Sequence, residues 1–395
     1  MTTSTARRIG DQTAIPFRLM RGGTSRGPMF LASDLPTAPH VRDQVLLAVM
    51  GSPHPLQVDG LGGGHPLTSK AGIVEPSEQE DVDLDFTFVQ LQPDTTTVQT
   101  TQNCGNTLAA VVPFAVEMGL IQPTDDMTEA VVRTTNTGLI SRISIHTPLF
   151  DGQRRVQYEG DTQIAGAPGT AAPVSIRFLN TAGSIASALL PTGNTTDVVT
   201  VGETDYTVTL IDNGQPLVIL AAEALGISGY ETVAELTDHT ALKERVEQLR
   251  LVAGQLMGLG DVTEASYPKM TLVAPPQHGG AITTRSFIPH RVHESIGVLA
   301  AVTVATAVLM DGSVAANVGV AGPGEHQTVG IEHPSGTFDT LVDLDASGTV
   351  VASGNIRTAR MLSSGAVYIP ASIWDPGGEA ASASTRQQQR KDMRR

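Results

Sequence analysis

The chain has 395 residues, 40% of them hydrophobic and 16% charged, with a net charge of −15. That length exceeds one hydrophobic core and points to two domains; one cysteine excludes an intrachain disulfide framework and a cysteine-built zinc site; no apolar run reaches membrane-spanning length. Residues 381–395 hold a net +4, so the first 380 carry −19, and a globule that acidic is a poor nucleic-acid binder whose anionic ligands need a local cluster of cations. Residues 1–12 are too polar for a secretory signal, so the expected address is cytoplasmic.

In chain order, Ile15–Met20 predicts a strand that runs into Arg21-Gly22-Gly23-Thr24-Ser25-Arg26-Gly27. Paired glycines let backbone amides approach an anion, with hydroxyls and arginines as further donors. A helix is expected over Ala38–Val49, where Val45-Leu46-Leu47 follow Arg42 and Asp43. Next comes Asp59-Gly60-Leu61-Gly62-Gly63-Gly64, then His65-Pro66-Leu67-Thr68-Ser69-Lys70, at the start of an Ala71–Val74 strand. A lysine at such a junction is a candidate base, because burial or a nearby cation favours its neutral form. Alternation in Asp83–Val89 predicts another strand.

Gln102-Asn103-Cys104-Gly105-Asn106 precedes an apolar helical run expected from Gly105 to Leu120, with Pro113 set to kink it. A thiol at a helix entrance faces unpaired N–H groups and the positive end of the dipole. Taken alone, a lone cysteine is an inert buried residue; the neighbouring motifs argue for more. The turn-rich stretch Gly166–Pro173 marks a boundary near residues 165–185.

In the second half, Val198–Val201 predicts a strand, Asp212-Asn213-Gly214-Gln215-Pro216 a tight loop, and Ala234–Leu251 an amphipathic surface helix. A second helix, apolar all round, is expected from Val292 to Met310, opening at His290-Arg291-Val292-His293-Glu294-Ser295. Helices without a polar face are buried ones. The spacing of His290 and His293 lacks a third ligand, so no metal site is expected. The expected class is α+β, two halves alike, each a curved sheet around a central buried helix.

Met20–Gly27, Met50-Gly51-Ser52-Pro53, Asp59–Gly63, Leu67–Lys70 and Gln102–Asn106 occur in that order. Together they resemble the family of methylaconitate isomerases and 4-oxalomesaconate tautomerases, relatives of diaminopimelate epimerase. The resemblance continues through Asp212–Pro216, Pro268-Lys269-Met270, His293, His333-Pro334-Ser335-Gly336 and Arg357-Thr358-Ala359-Arg360, spanning about residues 15–370. It implies two pseudo-symmetric epimerase-like domains, at 13–180 and 181–357. Residues 358–375 are a candidate to complete the first, and 376–395 form a disordered basic tail.

The resemblance further implies a 1,3-proton shift in an unsaturated tricarboxylate, without cofactor, metal, nucleic-acid or membrane partner, in a chain whose size and class suit a homodimer. Lys70 matches the family's catalytic lysine and Cys104 its cysteine. Arg21, Gly22, Gly23, Thr24, Ser25, Thr68, Ser69, Asn103, Gly105, Asn106, Asn213, Lys269, Arg291 and His293 are then substrate-binding candidates, with the amides of Gly22, Gly23, Gly105 and Asn106 facing the dienolate charge. Epimerase relatives carry a second cysteine at the second helix; this chain has none, which favours a 1,3-shift over racemisation. 4-Oxalomesaconate is the preferred substrate, methylaconitate or aconitate the alternative, and a silent organic-acid-binding protein the reading from another class.

Overall fold

A computed structural model describes residues 5–164, 166–288 and 291–378. The described chain divides into two compact units, one running to Ile176 and taken up again from Arg357, the other spanning Arg177–Ile356. The expected tail falls almost wholly outside the described residues, as does His290. The chain passes between units inside a strand, Pro173–Leu179, rather than in the turn-rich stretch before it, and returns within the long Val350–Pro370 strand.

In the first unit Gln12–Gly22 pairs antiparallel with Ser25–Leu31, which lies parallel to Lys70–Pro76. Leu84–Leu91 is antiparallel to that strand and parallel to Met127–Thr134, which pairs antiparallel with Leu139–His146. The second unit repeats the order: Thr204–Asp212, Pro216–Ala221, Lys269–Ala274, Ile282–Phe287, His326–His333 and Gly336–Leu344 pair antiparallel, parallel, antiparallel, parallel and antiparallel. Helices fall at matching places. Pro39–Met50 joins the second and third strands of the first set, Val233–Asp238 with Thr240–Leu256 those of the second. The buried helices join the fourth and fifth strands of each.

Alternation along the strands explains the layers. In the second unit Leu210, Val218, Leu220, Met270 and Leu272 pack with the Leu242, Val246 and Leu249 face of the outer helix. Their neighbours Ile211, Leu217, Ile219 and Val273 pack with Ala300, Ala301 and Val304 of Val298–Val308. In the first unit Ala71, Ile73, Val89 and Leu91 join Val45, Leu46 and Val49 of the outer helix. Lys70, two-periodic with Gly72, therefore projects from the opposite face, and Lys269 stands at the same place in the second set.

Three helix expectations are corrected. The Gly105–Leu120 run is two pieces, Gly105–Leu108 and Val111–Glu117. Pro113 has no N–H for the Ala109 carbonyl and crowds it, so the break falls one turn upstream, where Ala109 and Ala110 make tight bonds back to Asn106 and Thr107. The second buried helix starts at Val298 behind Gly297, not at Val292. Residues before it extend a strand end: Val292 bridges Phe287 and the His293 N–H donates to the Ser286 carbonyl. The outer helix is split at His239, whose ring accepts from Leu242 N; its first piece, Val233–Asp238, opens in a Thr232/Glu235 capping box.

Candidate active site

Lys70 is the first residue of its strand, 8% exposed, and its Nζ donates to Cys104 Sγ at 3.5 Å. Thr107 Oγ1 donates to the same sulphur at 3.3 Å. Lys70 Nζ also lies 5.4 Å from the Phe88 ring centre. Cys104 is the N-cap of the Gly105–Leu108 turn and supplies no side-chain cap itself, which leaves its thiol directed to the lysine. A buried nitrogen and a sulphur in hydrogen-bond contact can exchange a proton, one accepting as the other donates.

The glycines of the first motif have a packing role that the chain's local pattern does not reveal. A Cβ at Gly22 would lie 2.2 Å from the Asn106 carbonyl oxygen, one at Gly23 2.1 Å from Asn106 Oδ1, and one at Gly27 1.9 Å from the Lys70 carbonyl oxygen. The hairpin is thus seated on the turn that carries Cys104 and on the strand that carries Lys70. Asn106 Nδ2 completes the contact by donating to Thr24 Oγ1 at 3.0 Å. The Gly23 amide, expected to face an anion, is instead spent on the Thr358 carbonyl at 2.8 Å.

Arg21 likewise turns inward, its Nη1 donating to Gly23 O, Thr358 O and Thr358 Oγ1. Burial, with Arg360 beside it, lowers its pKa. Asn103 Nδ2 donates to Thr137 Oγ1 at 2.6 Å while its Oδ1 is buried without a partner, as is Ser25 Oγ. Thr68 Oγ1 donates to the His65 carbonyl, and Ser69 Oγ to Gln57 Oε1. Sequence reasoning passed over Thr107, Phe88 and Arg357. Burial pushes the Arg357 guanidinium down to about 10, and the adjacent Cys104 sulphur pulls the other way. Its signal in the sequence is the Arg357–Arg360 motif.

In the second unit Lys269 opens its strand as Lys70 does. Burial lowers its pKa. His293 is held low by burial and then by Lys269, against the pull of Glu294; His333 is held low by burial, then by His293 and Arg285. Ser295 N donates to His293 Nδ1 at 2.9 Å, which fixes that ring with its proton on Nε2 when neutral. Ser295 Oγ meets His333 Nε2 at 3.2 Å. Lys269, His293 and His333 are thus one cluster, joined by Arg285, which the sequence motifs do not include.

Two candidates are not part of it. Asn213 is 4% exposed, with its Oδ1 accepting from Thr181 and its Nδ2 donating to Thr306 and Ser353, so its amide is used inside the unit. The Arg291 residue is exposed at a turn where its carbonyl accepts from Ile288 N. Among the described residues no His, Cys, Asp or Glu cluster is placed to hold a metal, and no helix is long and apolar enough to cross a membrane.

The chain matches the family model described as PrpF protein over residues 12–370. It is 48% identical over 363 residues to the (4E)-oxalomesaconate Delta-isomerase of Novosphingobium sp. (strain KA1), covering 92% of this chain and 99% of that one. It is also 48% identical to the 4-oxalomesaconate tautomerase of Pseudomonas putida, covering 92% and 98%. Among solved structures it resembles that of methylitaconate-delta-isomerase, with a TM-score of 0.84 at 30% identity, covering 92% of this chain and 97% of that one, and shares its mixed α+β fold.

Proposed function

Since the chain belongs to the PrpF protein family and is an isomerase, we propose that it moves a proton across a three-carbon unit of an unsaturated tricarboxylate, 4-oxalomesaconate, without a cofactor. The observation that carries this is the buried Lys70–Cys104 contact at 3.5 Å. The 48% identity to two proteins named for oxalomesaconate supports the choice of substrate. The repeated strand order in the two units supports a pseudo-symmetric epimerase-like ancestry.

In this mechanism the neutral amine of Lys70 removes a proton from the carbon flanked by activating carbonyl and carboxylate groups. The C–H electron pair passes into the conjugated system as a dienolate. A proton then returns at the far end, from the Lys70 ammonium or the Cys104 thiol, and the double bond shifts with no net gain or loss of atoms. Arg357, beside Cys104, is suited to balance a substrate carboxylate.

The test is proton NMR in D₂O with 4-oxalomesaconate, methylaconitate and aconitate isomers in turn. Double-bond migration, or deuterium entering an allylic carbon, with the first is the expected result. Reaction with another of them renames the substrate, and no exchange with any sinks the tricarboxylates named here in favour of another organic acid. Lys70→Met should lose roughly 10²–10⁴-fold in kcat, the usual weight of a general base. Cys104→Ser losing less than about tenfold would make the thiol an orienting group.

A further inference from the structure

We propose that Gln57 is a positioning residue that fixes Lys70 for proton transfer, an inference that rests on Lys70 being the base. The Gln57 side chain is 1% exposed, and every polar group on its carboxamide is engaged. Its Oε1 accepts from Ser69 Oγ at 2.7 Å and from Gly64 N at 2.9 Å, and its Nε2 donates to Ser52 Oγ at 3.0 Å. Ser52 Oγ donates onward to the Gln92 carbonyl at 2.8 Å, just past the strand that pairs with Lys70. One carboxamide therefore joins the exit of the Pro39–Met50 helix, the glycine-rich loop and the residue immediately before the lysine.

The backbone gives independent support. Gln57 has φ of +47°, a left-handed conformation that glycine holds without cost and side chains resist. In a loop that uses glycine at 60, 62, 63 and 64, the chain places glutamine here. The loop also closes over the amide: a Cβ at Gly62 would lie 2.1 Å from Gln57 Oε1. Ser69 is then held from both sides, its hydroxyl shared between Gln57 Oε1 and the His65 carbonyl at 2.9 Å, and its carbonyl by Leu91 N at 2.9 Å and Gln90 Nε2 at 3.2 Å. Proton transfer is steep in distance, and a displacement of about 1 Å can cost 10²-fold.

The experiment compares the full-length wild-type chain with Gln57→Gly, Gln57→Glu and Lys70→Met, using 4-oxalomesaconate and the same compound deuterated at the reacting carbon. Gln57→Gly relaxes the backbone and removes the clamp. Its kcat should fall roughly 30- to 100-fold with KM within about threefold, and the substrate deuterium isotope effect should rise as proton abstraction becomes limiting. Gln57→Glu keeps the oxygen that accepts from Ser69 and Gly64 but puts a second oxygen where Nε2 donates to Ser52, so its kcat should lie between those of wild type and Gln57→Gly. A folded Gln57→Gly enzyme with kcat within about twofold of wild type, a loss confined to KM, or a Glu variant as impaired as the Gly variant overturns the proposal. Should the Gly variant not fold, Gln57→Met keeps the side-chain volume without any of the three bonds and is judged by the same outcomes. An inactive Lys70→Met beside a normal Gln57→Gly sinks only the positioning role; an active Lys70→Met sinks the base assignment itself.

Discussion

Gly27 faces the Lys70 carbonyl so closely that a methyl group would stand 1.9 Å from its oxygen. That oxygen is backbone in a paired strand and cannot swing aside, so Gly27→Ala must push Lys70 or the hairpin. The expected cost is about 1–3 kcal/mol of stability, as for overpacking elsewhere, with a loss of kcat out of proportion to the fall in melting temperature; paired melts and kinetics check it. Local pattern marked Arg21–Gly27 as a place where backbone comes close to something. It did not say to what, because Asn106 and Lys70 are distant in sequence and only folding brings them there. Asn213 meets the same limit: its amide reaches Thr181, Thr306 and Ser353, partners no local window contains. Glu332 belongs to this scale too. Burial alone would raise its pKa, but donors from Gln277, Thr283, Gly280 and His278 hold it at about 2, against 4.5 ordinarily. A depressed carboxylate stabilises the fold above its unfolded pKa and loses that contribution as pH falls through the folded one. Stability should therefore drop by on the order of 3 kcal/mol between about pH 4.5 and 2. Denaturation curves across that range should flatten in Glu332→Gln.

Among the elements, strands were legible from alternation and buried helices from their lack of a polar face; their ends were not. The first buried helix breaks at Ala109–Ala110 because of a proline that sequence reasoning noticed but placed at the kink itself. The second loses its expected opening because His293 pairs with Ser286, a tertiary bond that outweighs the helical pattern of Val292 and Ile296. The Thr232/Glu235 capping box, by contrast, is readable from two residues three apart and is absent from the expectations. Thr232→Ala should cost about 1 kcal/mol, the usual value for a lost N-cap. Its side chain bonds Glu235, which has no part in the chemistry, so thermal melting should shift while kcat and KM stay as in wild type.

For the molecule as a whole, the repeated pairing order gives Lys70 and Lys269 the same station, first residue of the third strand in each set, on the face toward the buried helix. One meets Cys104 at 3.5 Å; the other is neighboured by His293. The twofold pattern was visible in the sequence as two apolar helices, while the matching lysines emerge only when strand order is known. The return of the chain has a consequence for biosynthesis. Gln12–Gly22 takes Ala359–Pro370 as its second neighbour, so the unit begun first is completed last. The unit from Arg177 to Ile356 is contiguous, and its strand partners have all been translated before that closing segment leaves the ribosome. A chain released at Ile356 should show hydrogen-exchange protection across Leu217–Ala274 and little in Gln12–Leu31, with an open strand edge left to recruit other copies. Premature termination near the end of this message would thus yield not a shortened enzyme but a half-folded, adhesive one.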